Sequence, residues 1–69
     1  MNHITLTKRP DVSYKRNAFK IYDACRNGQI VGTVESDFGL GWNVFDANFN
    51  RVSRHSTIKA AVRVAGRVL

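Results

Sequence analysis

The chain has 69 residues, 43% hydrophobic and 23% charged, which predicts one globular domain and argues against a disordered chain outside the N-terminus. A domain of that length buries about 60% of its unfolded surface, and its core supplies no more than about 3–5 kcal/mol net. Eleven Lys and Arg against five Asp and Glu leave a net charge of +6 and a pI near 10.3, a balance that suits a polyanionic partner as well as it suits simple solubility.

Residues 1–17 are polar and basic. Ile4 and Leu6 alternate with His3, Thr5 and Thr7, the pattern of a short edge strand. Lys8-Arg9-Pro10 ends it, because proline cannot donate to a ladder and restrains the residue before it. Residues 11–17 read as loop. Lys8, Arg9, Lys15 and Arg16, with Tyr14 among them, make a partly flexible basic arm able to follow a phosphate backbone.

Two strand-like runs then flank Asn27-Gly28, the strongest short hairpin signal, since both residues of the primed turn need positive φ. A two-residue turn sets Arg26 opposite Gln29, Cys25 opposite Ile30, Ile21 opposite Val34 and Lys20 opposite Glu35. Phe19, Ile21, Cys25, Ile30 and Val34 then form an apolar face. Lys20, Tyr22, Ala24, Arg26, Val31, Thr33 and Glu35 form the mixed, outward one, with Lys20 and Glu35 as an opposite-charge pair. Residues 36–41, Ser-Asp-Phe-Gly-Leu-Gly, read as a turn. Their two glycines have none of the context of a phosphate loop.

A third strand is expected over 42–47, a four-residue turn over 47–50 and a fourth strand over 51–55. This register pairs Asp46 with Arg51 and Phe45 with Val52, and gives Trp42 and Val44 one face with Ser53 and His55; which face is buried stays open. Ser56 or Thr57 can cap a helix running to Leu69. Ile58, Ala61, Val62, Ala65, Val68 and Leu69 gather on one side, an apolar arc of about 160°. Lys59, Arg63 and Arg67 recur at four-residue intervals as a basic stripe on the other side. The expected fold is α+β: a small antiparallel sheet of three to four strands, with one C-terminal helix packed on one face. Its expected core is Phe19, Ile21, Ile30, Val34, Ile58, Val62 and Ala65.

Catalytic chemistry finds no constellation. Cys25 needs a histidine to become a nucleophile, and His55, the one candidate, sits on the other hairpin with no signature joining them. His3 and His55 lack thiols or carboxylates at ligand spacing. The reading is a non-enzymatic protein with no metal and no cofactor. A lone cysteine excludes an internal disulfide. No apolar run approaches the roughly 18 residues of a membrane helix, and the first ten residues lack a signal-peptide core, so the free thiol fits a reducing cytoplasm.

Binding is therefore the expected function. Nucleic acid, DNA before RNA, is the first reading: Lys15 and Arg16 in the arm, Lys20, Tyr22 and Arg26 on the outward hairpin face, and Lys59, Arg63 and Arg67 on the helix. Cations hold phosphates and an exposed tyrosine can stack on a base. In the order of its elements alone, strands and then one helix, the chain resembles small DNA readers such as plant AP2 domains and integrase arm-binding domains, without a motif of either. Against this reading, the cations are spread over the chain rather than gathered in one motif. The alternative is a small accessory protein, of the kind phages and mobile elements carry, that inhibits a host protein through its acidic surface and through Trp42 and Phe49. The marginal core and the wide apolar arc also allow a homodimer.

Overall fold

The computed structural model describes residues 3–12, 14, 19–36 and 41–69. Five strands form one antiparallel sheet in sequence order: β1 Thr5–Lys8, β2 Ile21–Arg26, β3 Gln29–Ser36, β4 Trp42–Asp46 and β5 Arg51–His55. The helix α1, Ile58–Val68, follows, the one helix among the described residues, and packs over β5, β4 and β3. The architecture is α+β as expected, with one strand more than the three to four anticipated. The extra strand is β1. Its alternation of Ile4 and Leu6 with polar residues is enough to pair it with β2, Leu6 opposite Ala24, and both aliphatic side chains pack on the core. Part of the N-terminal arm is thus sheet. The turn expected over 36–41 falls largely on 37–40, outside the described residues.

The β2–β3 turn forms as the Asn-Gly pair demands, with φ of 53° at Asn27 and 79° at Gly28. Arg26 pairs with Gln29 and Cys25 with Ile30. Beyond them the register departs from the expectation. Ala24 pairs with Gly32, so Val31 is an extra residue, a β-bulge, and Tyr22 rather than Ile21 lies opposite Val34. Glu35 lies opposite Ile21, not Lys20. Because side chains alternate with period two, a one-residue shift exchanges the faces of everything on β2 beyond the bulge. Ala24 and Val34 are consequently both fully buried, and Ile21 projects to the other face.

The core is built from Ala24, Val34, Val44, Ala61 and Ala65, with Ile4, Leu6, Trp42, Ile58 and Leu69 packed against it. Val34, Ile58 and Ala65 were expected there, and Val62 is half-buried. Phe19 (38% exposed) and Ile30 (62% exposed) are not core residues. Gly32 makes the close approach possible: a Cβ at that position would collide with the backbone carbonyl oxygen of Phe45 and lie 3.0 Å from Leu69 Cδ1.

The β4–β5 hairpin buries its Trp42–Val44 face, with Trp42 opposite His55 and Val44 opposite Ser53, as the spacing requires. Nearer the turn the expected pairs change. Phe45 pairs with Arg51, and Val52 becomes the extra residue of a second bulge. The turn closes through Asp46, whose amide donates to Asn50 O (3.0 Å) and whose carbonyl accepts from Phe49 N (3.1 Å). Its carboxylate Oδ1 accepts from Asn48 N (2.9 Å) and Asn50 N (3.0 Å).

Thr57 caps α1 with its Oγ1 accepting from Ala60 N at 3.2 Å, satisfying an amide that the first turn leaves open. Arg26 Nη2 donates to Gly66 O at 2.9 Å and ties the first hairpin to the helix C-terminal turn, where a cation also suits the helix dipole. Among the described residues no helix is long and apolar enough to cross a membrane.

Candidate nucleic-acid interface

The structure divides the charges by region. Residues 47–69 contain Arg51, Arg54, Lys59, Arg63 and Arg67 and no acid, so they carry five of the six net positive charges. The first 46 residues carry six cations against five acids. All five C-terminal cations are exposed. Lys59, Arg63 and Arg67 line the outer side of α1, away from buried Ala61 and Ala65. Arg51 and Arg54 lie on edge strand β5, opposite Phe45 and Asn43, on the sheet face away from the helix. The cations therefore lie on two opposite outer surfaces, two on the open face of the sheet at β5 and three on the far side of α1. What gathers is the sequence position of the charge rather than one surface. Arg51 and Arg54 are not among the residues expected from the sequence to hold phosphates; charge taken segment by segment rather than over the whole chain points to them.

From Lys59 to Arg67 the helix rises about 12 Å, enough to span three or four phosphates of one strand at about 3.4 Å of axial rise each. Neither β5 nor α1 contains an Asp or Glu of its own.

The N-terminal cations are placed differently. Arg9 donates through Nε (2.9 Å) and Nη2 (2.7 Å) to Asp23 Oδ1. Asp23 raises its guanidinium further above the ordinary value, chiefly through the hydrogen bond. Lys8 Nζ lies 5.2 Å from the centroid of the Tyr14 ring, a cation–π arrangement. Arg26 serves the helix end, as described above. Lys20 is half-buried, with its amide donating to Ser36 Oγ at 2.7 Å. Lys15 and Arg16 lie outside the described residues.

Tyr22 is not on an outward face. The bulge at Val31 puts it on the helix side of the sheet, in line with Ala24. There its ring is flanked by Tyr14 (centroids 5.0 Å apart) and Trp42 (6.0 Å). The Tyr14 hydroxyl accepts from Arg9 N at 2.9 Å and donates to Ile21 O. The three rings form a half-buried row that extends the core, and Tyr22 presents no open ring pair of the kind a base platform needs. Phe49, 77% exposed at the β4–β5 turn, is the most exposed large hydrophobic side chain among the described residues.

Cys25 and His55 stand on β2 and β5, with β3 and β4 between them. At about 4.8 Å per strand they are roughly 14 Å apart, beyond direct proton transfer. Cys25 Sγ is instead within 3.7 Å of Thr7 Oγ1, and His55 Nε2 within 2.9 Å of Ser53 Oγ. Among the described residues no three His, Cys, Asp or Glu gather as metal ligands. Compared with known proteins, the chain matches no family model, and neither a curated protein nor a solved structure shows significant similarity to it.

Proposed function

We propose that this is a small non-enzymatic nucleic-acid-binding protein that grips the phosphate backbone with the β5 edge and the outer side of α1. The observation that carries the reading is the run of five exposed cations without an acid, on two elements joined by a two-residue connection. Neutralising phosphates releases condensed counterions, so affinity measured on random-sequence DNA must depend steeply on salt. With about five phosphate contacts, log affinity falls with log salt at a slope near −4.5 on duplex, and a fourfold rise in salt weakens binding roughly 500-fold. Converting Lys59, Arg63 and Arg67 to Gln removes about 2.7 units of slope. These side chains lie opposite the buried alanines, so the thermal melt should stay within about 0.5 kcal/mol of the parent. Absence of binding at low salt by the folded protein ends this reading and favours a protein partner.

A further inference from the structure

Phe49 occupies a backbone conformation that a phenylalanine resists. Its φ is 63°, in the left-handed region, where a Cβ is crowded and Gly or Asn is the usual occupant. The turn imposes this geometry: Asp46 accepts three backbone amides through its carbonyl and carboxylate and closes the loop around residues 47–49. A left-handed residue after such a turn is the ordinary solution for a short hairpin loop, and glycine ordinarily fills it. The ring contributes little to the core, since Phe49 is 77% exposed. Two turn positions away from the core thus carry opposite choices: Asn27-Gly28 meets the positive-φ requirement cheaply, and Phe49 meets it with strain. Strain held without a packing return is a pointer to function.

What surrounds the ring indicates its partner. Phe49 directly precedes Asn50 and Arg51, at the start of the acid-free run that continues through Arg54 to the helix stripe. Phe49 thus stands at the turn from which β5 starts. From these observations we infer that Phe49 is a stacking residue for an unpaired base of a single-stranded nucleic acid. A single exposed ring at a hairpin turn suits a base already free of a duplex; entering a duplex would require unstacking a step. The inference rests on the nucleic-acid reading above and adds the strand state and the contact.

The test compares Phe49→Gly and Phe49→Trp with the parent in binding a labelled oligo-deoxythymidylate and a duplex of random sequence, over a range of salt. Base stacking on an aromatic is worth about 5- to 100-fold in affinity. Phe49→Gly should lose that factor on the single strand, keep its salt slope, and melt at or above the parent temperature because the left-handed strain is relieved. Phe49→Trp should retain the affinity. A glycine variant that binds the single strand like the parent, while parent binding keeps its steep slope, overturns the stacking role and leaves the phosphate grip standing. A parent that binds neither probe at low salt ends both. Loss of affinity with a shallower slope, or a change from dimer to monomer in sedimentation with unchanged binding, assigns Phe49 to something other than a base and also overturns the inference.

Discussion

The two hairpins of the sheet contain the same irregularity and teach different things about register. Each has one extra residue on its second strand, Val31 in β3 and Val52 in β5. In β2–β3 the two-residue turn is as the Asn-Gly pair demands, so the bulge adds one residue that nothing offsets, and Tyr22 arrives opposite Val34 where Ile21 was expected. In β4–β5 the loop is one residue shorter than the four-residue turn the spacing suggests, because Asp46 already pairs with Asn50. The bulge restores that residue, and Trp42, Asn43 and Val44 meet their expected partners. Register far from a turn is the sum of loop length and bulges between, so a correct turn guarantees it no better than an incorrect one.

Gly32→Ala breaks the comparison most severely. It sits in β3 just beyond the Val31 bulge, where a Cβ collides with the Phe45 carbonyl and crowds Leu69. Backbone cannot yield as a flexible side chain does, so a loss of about 3 kcal/mol is expected, read as a fall in Tm and in the denaturant midpoint. Substitution without effect would mean that β3 and β4 do not approach as described.

Next comes the pair Val34→Ala and Ile30→Ala, which tests which face the bulge selects. Val34 is fully buried, and its truncation should cost about 2 kcal/mol through lost burial and the cavity left behind. Ile30 is 62% exposed and should cost under about 0.5 kcal/mol. An unbulged hairpin would make the two costs similar.

Below the cost of truncating Val34 comes Gly28→Val. Nothing lies within 4 Å of a Cβ there, but φ is 79°. The penalty is therefore conformational only, about 1–2 kcal/mol for a β-branched residue in the left-handed region. It contrasts in sign with Phe49→Gly at the other turn. If both substitutions destabilise, the left-handed strain assigned to Phe49 is absent.

Local chemistry was legible in the residues themselves. Asn27-Gly28 requires its turn, Thr57 its cap, and the Lys59–Arg63–Arg67 interval an outward stripe. The strands and the trailing helix follow from period-two and period-3.6 spacing, which are properties of the backbone and need no partner. The C-terminal concentration of charge was equally present in the sequence, in the absence of any acid after Asp46. What no spacing could carry is the bulge at Val31. A bulge changes pairing without changing composition, and the residue beside it, Gly32, lies close against both the Phe45 backbone and the Leu69 side chain, neighbours distant in the chain. The bulge exchanged Ile21 for Ala24 in the core, moved Tyr22 into a row of rings under the helix side, and left Phe49 rather than Tyr22 as the open aromatic beside the cations. Local sequence determines what each element is; only the packing of distant elements decides which of its faces meets the core, because burial is a property of two surfaces and not of one.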